Sequence, residues 1–274
     1  MRFFGVRGST PAPGVEFASV GGNTSCVGVS RDSGPPTLVL DGGTGLRRLT
    51  RWLDGRPFDG AILLGHLHWD HVQGLPFFRA AEHPGSRTDV YLPAQGDPLA
   101  VLGGAMSPPH FPLRPAELRG RWTFQSLEAG EHVIEGFTLL ALDIPHVGGR
   151  TFGFRIEYGG STMAYLSDHS PLALGPGPEG WGVYHEAACR LAADVDLLVH
   201  DAQHVAEEFP AKAFLGHSVV EYAAVLATHA GARRVALFHH DPDRTDDEVE
   251  CLLARVDGLP VEVLVAAEGL TVEV

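Results

Sequence analysis

The chain is short of cysteine, of lysine and of long apolar runs, and each shortage excludes something. Its three cysteines, Cys26, Cys189 and Cys251, are far apart and odd in number. Neither a disulfide framework nor a cysteine-based zinc site is indicated, so any metal must use histidine and carboxylate. No apolar run approaches the roughly 20 residues that a membrane-crossing helix needs. Met1 to Gly8 contain no apolar stretch of signal-peptide length, and a cytoplasmic location is expected. Lys212 is the only lysine, and the net charge is −14. A protein that grips long nucleic acid usually carries a basic face, because phosphate neutralisation drives that binding. A long nucleic acid is therefore a disfavoured partner, whereas bound metal cations would attract a small anionic substrate. At 274 residues, 44% hydrophobic and 20% charged, the composition is that of an ordinary globular chain. With no repeat and no linker, a single domain over residues 1–274 is expected.

What the chain does have is the motif His66-Leu67-His68-Trp69-Asp70-His71, set after the apolar run Ala61-Ile62-Leu63-Leu64 and a breaking Gly65. The run is of strand length, and the motif then sits on the loop at the strand's carboxyl end, where α/β proteins build sites. Imidazole nitrogen and carboxylate oxygen are ligands for zinc and similar divalent ions. His66 and His68 share a side if extended geometry runs on. Asp70 and His71 follow a turn and can serve a second ion, so the spacing suggests a two-metal site.

Along the chain, Phe3, Thr37–Leu40, Val90–Leu92, Phe137–Leu142, Phe152–Tyr158, Ser161–Leu166, Asp196–Val199 and Val235–Phe238 read as strands or strand starts. Gly159-Gly160 reads as a hairpin turn. Helical spacing is expected through Leu46, Leu49 and Leu53, over Val72 to Ala81 despite Pro76, and over Tyr184 to Ala193. Ser218 with Glu221, and Thr245 with Glu248, read as capping boxes. Val261–Val265 and Leu270–Val274 read as a closing pair of strands. Pro93 to Pro115 reads as a long loop or short helices laid over the site, with His110 either meeting substrate or lying on the surface. Gly8-Ser9-Thr10-Pro11 reads as a loop, and the glycine loops Gly21-Gly22-Asn23-Thr24 and Asp41-Gly42-Gly43-Thr44-Gly45 are either plain turns or places where backbone approaches a ligand. Asp41 is placed to orient a metal-binding histidine.

Five apolar runs stop at an acidic residue or histidine: Asp41, His66, His146, Asp168 and His239. Independent surface histidines would not track strand ends in this way. The pattern His-x-His-x-Asp-His followed by further strand-end ligands resembles the metallo-β-lactamase superfamily. That resemblance implies an α/β fold of the αββα type, two mixed sheets flanked by helices with the metal site at one edge. It also implies that His66, His68 and His146 hold one ion, that Asp70, His71 and His239 hold another, and that Asp168 bridges them. The ions would be zinc, with manganese or iron as alternatives, and a hydroxide shared between them would be the nucleophile. Register favours His239 over its neighbour His240 as the last ligand.

The boxes His200-Asp201-Ala202-Gln203, Gly216-His217-Ser218 and Phe238-His239 resemble the ribonuclease Z-type phosphodiesterase branch, as do Phe4 to Pro11 and Asp41 to Gly45. By that resemblance His217 is a general acid held in its charged form by Asp201. Here Asp201 and Gln203 stand where the branch carries Glu and Thr. The candidate catalytic residues are therefore Asp70, Asp201 and His217. Members that process tRNA carry a long arm between the third histidine and the bridging aspartate. Here His146 and Asp168 are 22 residues apart, with a hairpin between them. The resemblance thus implies a phosphodiesterase for a small ester such as a cyclic nucleotide, with a homodimer as a common assembly. Alternatives on the same scaffold are hydrolysis of a carboxylic ester, lactone or thioester, or a non-catalytic metal-binding or sensor role.

Overall fold

The computed structural model describes residues 1–274. Its strands are β1 (Arg2–Gly5), β2 (Cys26–Val29), β3 (Leu38–Leu40), β4 (Asp59–Leu63), β5 (Arg87–Pro93), β6 (Trp122–Leu127), β7 (Gly130–Ile134), β8 (Phe137–Asp143), β9 (Phe152–Tyr158), β10 (Ser161–Leu166), β11 (Leu197–Asp201), β12 (Arg234–Phe238) and β13 (Glu262–Val265). The helices are α1 (Leu46–Leu53), α2 (Trp69–Val72), α3 (Pro98–Ala105), α4 (Glu186–Ala192), α5 (Phe209–Lys212), α6 (Val220–Ala230) and α7 (Asp246–Glu250). A six-stranded sheet runs β1-β2-β3-β4-β5-β6, and a seven-stranded sheet runs β13-β12-β11-β10-β9-β8-β7. Both sheets are mixed. β3 to β6 are parallel in the first, and β10 to β13 are parallel in the second.

Side-chain alternation makes four layers out of these two sheets. On β3 and β4, Leu38, Leu40, Ala61 and Leu63 turn inward, and on β10 and β11, Met163, Tyr165, Leu197 and Val199 meet them in one shared core. The intervening Val39 and Ile62 turn outward onto α1 and its Leu46, Leu49 and Leu53. On the other side Ala164, Leu166 and Leu198 pack under Leu191 of α4 and Leu226 of α6. These strands are buried on both faces, so they read as continuous apolar runs rather than as alternation. Each fully buried Leu or Phe contributes roughly 2 kcal/mol relative to exposure.

Several expected elements come out differently. Val72 to Ala81 is not one helix. It breaks into α2 and two short 3₁₀ turns at Leu75–Phe77 and Arg79–Glu82. Gly74 and Pro76 stop propagation, since Pro can open a helical turn but not continue one. Ser218 does not cap α6. The N-cap is Val219, and Glu221 instead accepts from the Ala206 amide and from Arg255. The second capping box, Thr245 with Glu248, is present. The C-terminal segment does not pair with β13 but makes a single bridge, Thr271 to Arg2 of β1. β6 and β7 are strands where none was expected, with alternating exposed residues at the sheet edges. No helix is long and apolar enough to cross a membrane.

Candidate metal centre

The loops that follow β3, β4, β8, β10, β11 and β12 converge at one edge of the sandwich. The parallel strands of each sheet end there together, so the strand-end residues are gathered. His66, Asp70, His71, Asp168, His217 and His239 are all buried. The ligand-type atoms of His66, His68, His146 and Asp168 lie within 4.8 Å of one another, and so do those of Asp70, His71, Asp168 and His239.

Asp168 belongs to both sets, and its two oxygens divide between them. Oδ2 lies 3.6 Å from His66 Nε2 and 3.5 Å from His146 Nε2. Oδ1 lies 3.0 Å from His71 Nε2 and 3.3 Å from His239 Nε2. Asp70 Oδ2 is 3.1 Å from both His71 Nε2 and His239 Nε2, and it also accepts from the Ser9 amide at 2.8 Å.

The ring tautomers are fixed from behind. His71 Nδ1 donates to Asp41 Oδ2 at 2.8 Å, and His146 Nδ1 donates to the Gly216 carbonyl at 2.7 Å. When neutral, each ring then turns its Nε2 lone pair to the centre. Asp41 is itself held: the Tyr165 hydroxyl donates to Oδ2 and the Gly65 amide to Oδ1, each at 2.7 Å.

Burial and the neighbouring His71 hold His66 well below the ordinary imidazole range. Burial also pushes His68 and His146 down. Burial alone would raise Asp168, but His239, His71 and His66 outweigh it and hold the carboxyl well below its usual range. Asp70 is likewise held low, by the charge of His71 and by His239, against its burial. In the ion-free protein burial would lower His71, yet Asp168, Asp70 and Asp41 hold it well above the imidazole range.

These donors fit divalent cations. Both nitrogens of His66, Nε2 of His71 and Oδ1 of Asp168 are buried without a hydrogen-bond partner. Each such orphan costs on the order of 1–3 kcal/mol unless something supplies the missing interaction. Lone pairs of neutral imidazoles and carboxylates converging at 3.0–3.6 Å repel one another. Cations among them turn that repulsion into coordination.

Beside this cluster, Asp201 Oδ2 accepts from His217 Nδ1 at 3.0 Å and from the His169 amide at 3.1 Å, and Oδ1 accepts from the Gln203 amide at 3.0 Å. The shorter Asp side chain thus reaches its histidine. Burial would lower His217, but Asp201, by charge and hydrogen bond, and then Asp168 raise it to about 9. His217 Nδ1 is also 3.7 Å from Asp168 Oδ2.

His239 and His240 part company at the end of β12, where His239 takes a left-handed φ of 59°. His239 enters the cluster. His240 turns away and donates from Nε2 to the Ala266 carbonyl at 2.9 Å. Gly8 lies against the His239 ring, so a Cβ there would meet His239 Nδ1 at 2.4 Å. A Cβ on Gly43 would lie 2.3 Å from the Asp70 carbonyl oxygen. Backbone therefore closes on the centre at Gly8 and Gly43, whereas the Gly21-Gly22 turn packs against Glu268 and the Ala12 carbonyl. His169 and His200 bond to each other at 3.0 Å away from the cluster, and His204 is buried with neither nitrogen bonded. His110 lines a cavity next to α2. Sequence reading passed over Ser9, Tyr165 and the Gly216 carbonyl. Tyr165 looks like any core aromatic, and a backbone acceptor leaves no side-chain signature.

Residues 37–240 match the model of the family described as the beta-lactamase superfamily domain, and the chain belongs to that family. Its fold is that of the metallo-β-lactamase superfamily, and its sequence is similar to that of ribonuclease Z. Ribonuclease Z of Halobacterium salinarum is 34% identical over 115 residues, covering 42% of this chain and 33% of that protein. That match spans a third of the relative's own length. The fold matches the metallo-β-lactamase fold protein YhfI from Bacillus subtilis with a TM-score of 0.73 at 20% identity, over 98% of this chain and 96% of that one. It matches human tRNase Z, short form, with a TM-score of 0.68 at 20% identity, over 99% and 98%.

Proposed function

We propose that residues 1–274 form one domain with a dinuclear metal-dependent phosphodiesterase centre, acting on a small phosphodiester such as a cyclic nucleotide. The observation that carries this reading is the division of Asp168: one oxygen faces His66 and His146, the other His71 and His239. His66, His68 and His146 would hold one ion, Asp70, His71 and His239 the other, and Asp168 both. Zinc suits this nitrogen-rich set, and manganese or iron would also bind it. Divalent ions bound there supply an activated water at neutral pH and positive charge to offset the anionic transition state.

The chain's own residues do the rest. Three donors lock the Asp201 carboxylate, which keeps His217 charged at neutral pH and turns its Nδ1 inward. Nε2 makes no hydrogen bond within the chain and is free to give its proton to the leaving alkoxide. Water oxygen joins phosphorus as the ester P–O bond breaks, and the alkoxide leaves protonated. Asp70 is steadied by the Ser9 amide, and Gln203 Nε2 donates to Ser9 Oγ at 2.9 Å, which ties this loop to the Asp201 segment.

Two features favour a small substrate. The span from His146 to Asp168 is filled by the β9–β10 hairpin, closed by Gly159-Gly160 between Tyr158 and Ser161. The net charge is −14. The three free cysteines suit a reducing, cytoplasmic setting. A second reading, cleavage of RNA, is favoured by the name of the ribonuclease Z relatives.

The test is turnover of bis-p-nitrophenyl phosphate, cyclic nucleotides, a tRNA precursor and a lactone by the metal-loaded protein and by His217→Ala. Cleavage of small diesters is expected, falling about 10²–10⁴-fold in His217→Ala with lactone turnover spared. Turnover of lactone alone, or of the tRNA precursor alone, would overturn the assignment.

A further inference from the structure

Trp69 stands between His68 and Asp70, yet its side chain is not part of the cluster and is 74% exposed. On α2, Asp70, His71 and Val72 are buried. Trp69, Val72 and Gln73, spaced one helical turn apart, share another face. That face is one wall of a cavity of about 310 Å³. Met106 and Ala105, at the end of α3, line it with Phe77 and Phe111. Phe77 and Phe111 meet edge to face with centroids 5.9 Å apart, and Phe77 is 49% exposed.

The chemistry of the walls selects the occupant. No Asp, Glu, Lys or Arg lines the cavity, so it is not built for a phosphate. Its size is at the lower end of small-molecule pockets, which are concave, mostly apolar and provided with few polar groups. Gln73 Nε2 already reaches Thr24 Oγ1 at 3.4 Å, which leaves His110 as the polar group at the rim. Three aromatic side chains and a methionine suit a flat, uncharged ring, since aromatic stacking tolerates any π-face and the thioether adapts to ring edges. One wall is α2 itself, and Trp69 stands between His68 and Asp70 in the chain, so the cavity and the candidate ligands share one short segment.

We propose that this cavity receives the aromatic ring of the substrate, a nucleobase or an aryl group, and so selects aromatic over alkyl phosphodiesters. The phosphate end of this proposal rests on the phosphodiesterase reading; the ring site does not. The metal-loaded full chain is titrated with adenosine, phenyl phosphate and ribose 5-phosphate, followed by tryptophan fluorescence and calorimetry. Adenosine tests the nucleobase source and phenyl phosphate the aryl source; binding of either supports the ring site. Ribose 5-phosphate is expected to leave the fluorescence unchanged. Trp69→Ala removes a stacking face and Ala105→Phe fills the cavity from α3. Each is expected to weaken ring binding, and to raise KM for bis-p-nitrophenyl phosphate, by about tenfold, with ions per chain unchanged as the check on folding. If adenosine binds and no phosphodiester is cleaved, the ring site stands and the phosphodiesterase reading falls. If diesters are cleaved while neither aromatic ligand binds and Ala105→Phe keeps the parent KM, the ring site is overturned. A dimer that Trp69→Ala converts to monomer in sedimentation, without ligand binding, would assign the aromatic patch to a second copy of the chain and overturn it as well.

Discussion

The Asp41 carboxylate takes three donors at once, from His71 Nδ1, the Tyr165 hydroxyl and the Gly65 amide. It acts on the centre only through the ring it holds. Groups of this kind typically carry 10–100-fold in metal affinity. Asp41→Asn is expected to weaken metal binding by about that factor in a chelator competition, while Asp70 and Asp168 keep their places. Unaltered affinity would show that His71 needs no support. His204 offers a pH readout away from the proposed ligands. It is buried without a hydrogen bond at either nitrogen, and burial brings it down to about 4. Its folded value lies below the ordinary imidazole value, so the unfolded chain binds the extra proton first. The stability it contributes is present above about pH 6.5 and is lost as pH falls toward 4. Urea unfolding between these limits is expected to show a shallower acid loss in His204→Gln than in the parent chain. Equal slopes would mean that His204 is already charged in the fold.

At the scale of elements, Arg7 straps the N-terminal loop to the segment after β12. Its buried guanidinium donates to the carbonyls of Gly21, Asp241 and Arg244 at 2.8, 3.2 and 2.6 Å, and pairs with Asp246 at 3.4 Å. The strap sets Gly8 against His239, whose neighbour His240 donates its amide to the Val6 carbonyl at 2.9 Å. Arg7→Met is expected to cost about 3 kcal/mol in urea unfolding and to loosen metal binding; a loss below about 1 kcal/mol would contradict the strap. Little of this was legible in the sequence, because a buried Arg reads as a surface charge. The strand ends were legible for the opposite reason. Apolar runs that stop at Asp41, His66, Asp168 and His239 carry both the strand and the site in adjacent residues. Helix boundaries were legible only where the deciding contacts are local. The Thr245–Glu248 box formed, whereas Glu221 was drawn off by Arg255. Gly74 and Pro76 broke a helix that the apolar spacing alone would allow.

For the whole molecule, two mixed sheets with helices outside bring the carboxyl ends of β3, β4, β10, β11 and β12 to one edge. Residues as far apart as Ser9 and His239 meet there. The αββα class followed from the motif and the family resemblance. The edge strands β6 and β7 and the cavity beside α2 did not, because they depend on packing between segments distant in sequence. Across the molecule, one arrangement decides the reading: a carboxylate, Asp168, shared by two histidine sets. Elemental analysis of the purified, full-length chain, paired with bis-p-nitrophenyl phosphate turnover before and after chelation, tests it most directly. Two divalent ions per chain are expected, with turnover lost on chelation and restored by the metal. A single ion per chain, or full turnover after both ions are removed, would contradict the shared-carboxylate centre.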